Sequence, residues 1–218
     1  MLKRKATATE LFTTLDGMTE RQLSNVITED ESWFHLTHPV VGQWRVCQED
    51  VERNVTPSIG AEKVLVSVFW SLKGFHVVEP LPDGETFTSE YMCGILIPKL
   101  ADSFSGSRPV MGLKGLWIHC DNAKPHTSQL TNETLARFGM KRLPHPAYSP
   151  DLAPSDFYLF GMVKGKLAGR TFGTKDEVVE EIRNIVHSIP KSELVSVMSE
   201  WKRRLHVVSE TNGDYVVN

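Results

Sequence analysis

The sequence predicts a mixed α/β domain in which a sheet is covered by helices. Three observations predict it. The first part of the chain carries strand-like runs rich in β-branched and aromatic residues, a short apolar run further on ends in Asp121, and the last third returns to helical spacing. With 218 residues, 40% of them hydrophobic and 23% charged, the chain can bury one sizeable core without disulfides.

The elements follow in order. Residues 1–24 are polar with Leu11, Leu15 and Met18 at helical spacing, which reads as a leader helix or linker. SNVITEDESWFHL reads as a strand crossing Asp30, and VGQWRVCQ as a second strand. KVLVSVFWS, Lys63 to Ser71, is nearly all apolar and suits a buried central strand. Lys73-Gly74 then makes a tight hairpin turn into FHVVEPL. SEYMCGILIPKLADSF is expected to be helical, with Pro98 kinking or bounding it. GLWIHCD, residues 115–121, is a short strand ending in an aspartate. HTSQLTNETLARFGM is a helix with Leu130, Leu135 and Phe138 on one side and Gly139 as its stop. KRLPHP is a short strand, and the loop AYSPDLAPSD leads to a helix capped by Ser155. KDEVVEEIRNIVHSI is amphipathic with acids in its first turn, and Pro190 opens the last helix. This order is that of an RNase H-like fold: a mixed five-stranded sheet flanked by helices, with the core at 25–172 and a C-terminal helical part of the same domain at 173–218. Other α/β arrangements share the pattern.

Composition excludes some classes. No apolar run approaches the roughly 20 residues of a membrane span, and MLKRKATATE lacks the apolar stretch of a secretory signal. The expected location is the nucleus in a eukaryote, or the cytoplasm and nucleoid in a bacterium. Cys47, Cys93 and Cys120 have no CxxC spacing and read as reduced thiols. The net charge is −3, but Lys114 to Arg170 holds eight Lys/Arg against four Asp/Glu, and the first 60 residues hold six against nine. A positive surface beside an acidic pocket suits phosphate-bearing substrates, although chance unevenness gives the same numbers.

Three aspartates stand in different settings: Asp30 inside a strand, Asp121 at a strand end, Asp156 at the start of a helix after a proline loop. Carboxylates are the donors that Mg²⁺ and Mn²⁺ prefer, and three together without metal would repel one another. If they converge, they make a two-ion site for cleaving a phosphodiester. Taken singly, each has the ordinary reading of a cap or turn residue.

The segments VITEDESWFHL, VFWSLKGFHVVEPLPDG, WIHCDNAKPHTS and LPHPAYSPDLAPSDFYLFG resemble the catalytic core of mariner-type transposases, in the family's order and across about residues 24–205. Asp121 and Asp156 are separated by 34 residues, the mariner-type interval. The resemblance implies an RNase H-like fold, with Asp30, Asp121 and Asp156 as catalytic residues and ligands of two Mg²⁺ or Mn²⁺ ions. It also implies cleavage of DNA at transposon ends, strand transfer into target DNA, and a homodimer that synapses two ends. Glu29 stands where the family has a glycine. Residues 1–24 are too short for the paired helix-turn-helix domains that precede this core in the family, so recognition of specific ends is not expected from this chain. The rival reading is a remnant that keeps the fold and acts as a DNA-binding or interaction module.

Several neighbours are accessory candidates. Glu31 flanks Asp30. Asn122 either contacts a phosphate or a metal-bound water, or serves helix entry. Strand alternation puts His119 on the face of Asp121 with Cys120 opposite, as a ligand or, more simply, a core histidine. His126 contacts DNA or caps the next helix. Lys124, Lys164, Lys166 and Arg170 are candidate phosphate contacts or solvated surface charges, and Trp33, Trp70 and Trp117 read as core.

Overall fold

A computed structural model describes residues 2–38 and 62–216. Its sheet has the order β3-β2-β1-β4-β5, with β1 at Val26–His35, β2 at Lys63–Ser71, β3 at Gly74–Pro80, β4 at Trp117–His119 and β5 at Lys141–Arg142. The first three strands are antiparallel, and β4 and β5 run parallel to β1. The expected strand VGQWRVCQ, with Cys47, lies outside the described residues.

The apolar run of β2 is explained by its place, since it is flanked on both sides by other strands and buried on both faces. The hairpin turns at Leu72 and Lys73, and Gly74 enters β3 at φ 128°, a value that a side chain would strain.

Alternation along β1 and β4 sorts the core into two halves. Val26, Phe34, Val68 and Trp70 face one half, against the helices α7 (Phe160–Leu167), α8 (Lys175–His187) and α9 (Lys191–Glu210). Ile27, Phe69 and Ile118 face the other. There they meet the helix that begins as α3 (Ser89–Tyr91), passes through a π turn at Met92–Leu96 and continues as α4 (Ile97–Ser103). Pro98 lies just after the π turn, so its missing N–H falls where the helix already departs from regular α bonding.

The N-terminal helix α1 (Leu2–Asp16) packs along α9 and buries Ala8, Leu11 and Leu15 completely. Arg4 is buried in an ion pair with Asp151, 2.6 Å apart. The short α2 (Glu20–Leu23), closed by a capping box on Thr19, leads into β1.

Two local expectations are corrected. The helix expected over 126–140 is split into α5 (Lys124–Thr127) and α6 (Gln129–Arg137), because the Ser128 hydroxyl caps a new start by accepting from Thr131 N–H. The buried side of α6 is therefore Thr131, Thr134 and Leu135, with Leu130 exposed. Ser155 does not cap its helix. Pro154 occupies the cap position, and Ser155 is fully buried inside a π turn, Ser155–Leu159, where its Oγ accepts from Trp70 Nε1 at 3.1 Å.

Candidate active site

Parallel pairing of β1 with β4 ends at Thr28 and His119; Asp30 follows two residues on along β1, and Asp121 two residues on past the end of β4. The third arrives from the proline loop. The Trp70–Ser155 bond anchors the π turn against the sheet, and the next residue, Asp156, is left at the surface.

Asp30 senses Asp156, and Asp156 senses Asp121. Burial pushes Asp30 well above the usual carboxylate range, and Asp156, Glu29 and Glu31 add to the effect. Burial, then Asp121 and Glu31, push Asp156 up to about 6, with Lys164 pulling against them. Asp121 behaves differently. Burial raises it, but hydrogen bonds from His126 and from Ala123 N–H outweigh that and hold it below the usual range. Both bonds go to Oδ1, at 2.6 Å and 2.8 Å, so Oδ2 is committed to neither.

A second cluster lies on the other face of β1, behind the mouth. Glu29 and His126 are fully buried, and His126 Nε2 lies 3.3 Å from Glu29 Oε2 and 3.5 Å from Glu31 Oε2. Burial opposes charge on the imidazole, but Glu29, Asp121 and Glu31 outweigh it and push His126 up to about 12. Burial also pushes Glu29 up to about 8, with His126 pulling it down. Arg142 closes the cluster by donating to the main-chain carbonyls of His126 and, at 2.8 Å, of Asp121.

Among the described residues, Glu29, Cys120 and His126 form the one His/Cys/Asp/Glu trio whose ligand atoms lie within 4.8 Å of one another. Burial pushes the Cys120 thiol up to about 12, so the trio holds a neutral thiol and a charged imidazole, a poor donor set for a cation. Asp30, Asp121 and Asp156 form no trio that tight. A two-ion site does not require one: with ions about 3.5–4 Å apart and Mg–O bonds of about 2.1 Å, carboxylates on the outer sides stand farther apart than that.

The remaining candidates fall as follows. Glu31 joins the buried cluster. Asn122 donates through Nδ2 to His145 carbonyl oxygen at 2.7 Å, tying the loop after β4 to the segment after β5. His119 is a core residue: it is buried, 3.0 Å from His145 Nδ1, with its ring 4.5 Å from that of Trp201. His126 is corrected as well. It is neither a DNA contact nor a helix cap, being fully buried with Asp121 as its partner. Lys124 and Lys166 are exposed. Lys164 bonds Ser32 Oγ at 2.8 Å and acts on Asp156, while Arg170 is taken up by Glu181. Of the tryptophans read as core, Trp70 is buried, Trp117 is half-buried, and Trp33 is 45% exposed under the Lys63 ammonium.

Sequence reasoning missed Arg142 and His145. The only available signal was their place in KRLPHP, the strand that pairs with β4.

An RNase H-like sheet carrying Asp30 within β1, with Asp121 just past β4 and Asp156 in the turn after the proline loop, has the arrangement of a DDE-type transposase domain. The family described as "Transposase (partial DDE domain)" matches residues 36–110. The Mariner Mos1 transposase of Drosophila mauritiana is 30% identical over 161 residues, 72% of this chain and 46% of that protein. The histone-lysine N-methyltransferase SETMAR of Homo sapiens is 27% identical over 194 residues, 88% of this chain and 28% of that protein. The crystal structure of the Mos1 mariner paired-end complex with Mn superposes with a TM-score of 0.86 at 25% identity, over 99% of this chain and 63% of that one. The chain is similar to the catalytic domain of mariner-type transposases, and it spans less than half the length of the curated relatives it matches.

Proposed function

We propose that this chain cleaves DNA at transposon ends and joins the resulting 3′-hydroxyl to target DNA, with Asp30, Asp121 and Asp156 holding two Mg²⁺ or Mn²⁺ ions. One observation supports the proposal: Asp30 on β1 feels Asp156 from the proline loop, Asp156 in turn feels Asp121 from the end of β4, and burial with these neighbours pushes Asp30 and Asp156 up. Such mutual repulsion is what a bound cation relieves, and an all-oxygen donor set fits a hard divalent ion. When bound, the ions supply an activated water and stabilise the leaving oxygen of the phosphodiester.

The chain's own residues do the positioning. His126 and Ala123 N–H hold Asp121 by one oxygen and keep it ionised. The Trp70–Ser155 bond fixes the turn that presents Asp156. Lys164 lies close enough to Asp156 to offset part of the negative charge that a phosphate backbone brings. Lys124 and Lys166 are exposed and available for phosphate contacts, whereas Arg170 would first have to leave Glu181.

The test compares nicking of supercoiled plasmid and of duplexes carrying transposon ends by the protein and by Asp121→Ala, in Mg²⁺, Mn²⁺ and EDTA. Activity in either metal that is lost in EDTA and in the variant is the expected result. Equal activity of the two proteins would remove the enzymatic reading. Preferential cleavage of RNA–DNA hybrids would replace it with a general RNase H-like nuclease.

A further inference from the structure

A cluster of positive charge lies at the other end of the sheet from the aspartates. Arg21 from α2, Lys73 from the β2–β3 turn and Arg108 from the segment after α4 line one cleft of about 420 Å³, and no acidic side chain lines it. Asn25, at the start of β1, also lines the cleft. At a strand rise of about 3.3 Å per residue, it stands roughly 16 Å from Asp30 along the strand.

Three features set this cleft apart from scattered surface lysines. The cations are close enough to repel: burial, then Arg108 and Arg21, hold the Lys73 ammonium below its usual range. Two of them are tethered in place, Lys73 Nζ by Asn25 Oδ1 at 3.1 Å and Arg108 Nη2 by Lys114 carbonyl oxygen at 2.7 Å. The tether leaves a donor over, because Arg108 Nη1 is buried and has no hydrogen-bond partner. Leaving a buried donor unpaired and gathering like charges both cost free energy, and an anion in the cleft would recover both.

The rim indicates which anion. Val110 is 93% exposed and Met111 50%, so apolar surface stands directly beside the cations. A free phosphate has no use for such a shoulder, whereas a nucleic-acid backbone offers alternating phosphates and apolar sugar edges.

We propose that the Arg21–Lys73–Arg108 cleft is a non-catalytic phosphate site that holds the backbone of DNA away from the carboxylate mouth. The proposal rests on the reading of the chain as a DNA-processing domain, but the binding it describes requires neither metal nor cleavage.

The experiment is fluorescence anisotropy of a labelled 25-base-pair duplex in EDTA across a series of NaCl concentrations. The proteins are the wild-type, the triple variant Arg21→Gln, Lys73→Gln, Arg108→Gln, the three single variants, and Lys191→Gln as a control outside the cleft. The triple variant should bind about tenfold or more weakly at low salt, with a log–log salt slope shallower by about 2 to 3, and each single variant should lose about 1. The control should match the wild-type. Wild-type affinity and slope in the triple variant would overturn the proposal. If the triple variant loses its folded circular dichroism, the single variant Arg21→Gln, whose side chain is exposed, decides by the same slope.

A second arm measures melting temperature in inorganic phosphate at constant ionic strength. A phosphate-dependent rise in the wild-type alone, with DNA slopes that coincide, would show a small-anion site and overturn the assignment to DNA. A protein without metal-dependent nicking that still shows the slope difference would lose the enzymatic reading and keep this one.

Discussion

His126 joins two carboxylates of different kinds: its Nδ1 lies 2.6 Å from Asp121 Oδ1 at the mouth, and its Nε2 lies 3.3 Å from Glu29 Oε2 in the interior. The side chain of Asp121 is 45% exposed and that of Glu29 is completely buried. The imidazole thus links the solvent-facing carboxylate to a fixed point inside the fold. Glu29, the residue that stands in place of the family's glycine, belongs to this arrangement.

Removing His126 should therefore do two things. His126→Ala removes the buried hydrogen bond to Asp121, a loss of about 1–3 kcal/mol; Glu29, pushed up to about 8, stays protonated below that pH and adds the cost of an unpaired buried charge only above it. The change also frees Asp121 to rotate, and Mn²⁺ affinity should fall about 10- to 100-fold, as when an outer-shell partner is lost. Urea unfolding and a Mn²⁺ titration read the two effects separately. Adding Glu29→Gln to His126→Ala should recover stability above about pH 8, where the lone Glu29 would otherwise have to ionise, but not metal affinity. A double variant as unstable as the single one above that pH would show that Glu29 and His126 are not coupled.

The carboxylate mouth should make stability depend on pH in a direction that metal reverses. Asp156 has its folded value raised to about 6 from an ordinary 3.8. A carboxyl raised in this way binds its proton more tightly when folded, so its contribution is most favourable below about 4 and is lost as pH rises through 6. Metal-free Asp156→Asn should accordingly melt above the wild-type at pH 7.5 and near it at pH 4.5. Mg²⁺ or Mn²⁺ should raise the wild-type melting temperature more at pH 7.5 than at pH 5, where protons compete for the site. Scanning calorimetry with and without EDTA makes the comparison, and a metal shift independent of pH would contradict it.

The Trp70–Ser155 bond predicts a cost away from the chemistry. Ser155→Ala leaves the buried indole N–H unpaired, worth about 1–3 kcal/mol. The double variant with Trp70→Phe should lose less than the sum of the two single changes. Urea denaturation of all four proteins tests this, and additive losses would mean that the bond contributes nothing of its own.

Arg4 ties α1 to the loop that precedes Asp156. Its side chain is 7% exposed and that of Asp151 is 10%, and the same guanidinium also donates to Gly213 carbonyl oxygen at 2.9 Å. Arg4→Met should destabilise the domain by about 3–5 kcal/mol. Asp151→Leu in the same chain should recover much of that loss, as measured by thermal and urea unfolding.

Much of the site was legible before the fold was known, and the rest was not, for local reasons. Asp121 and Asp156 stood out because each is charged where the surrounding pattern is apolar or rigid, and Asp30 because it lies inside a strand-like run with Trp33 and Phe34. His126 and His119 did not, because their roles depend on burial. The spacing of AKPHTS shows nothing of Glu29 arriving from β1, and WIHCD shows nothing of Trp201 arriving from α9. Ser155 looks like a helix cap in sequence, and only the distant Trp70 reveals it as an acceptor.

The chain's periodicities and its run of motifs determined the order of elements, the buried character of β2 and the identity of the three aspartates, because those depend on neighbours a few residues away. Tertiary structure alone decided that Arg142 clamps the carbonyls of Asp121 and His126, and that a histidine five residues past Asp121 turns inward to meet Glu29. Each of those depends on a partner tens of residues away, and a buried charge is tolerated only where such a partner has already been brought into place.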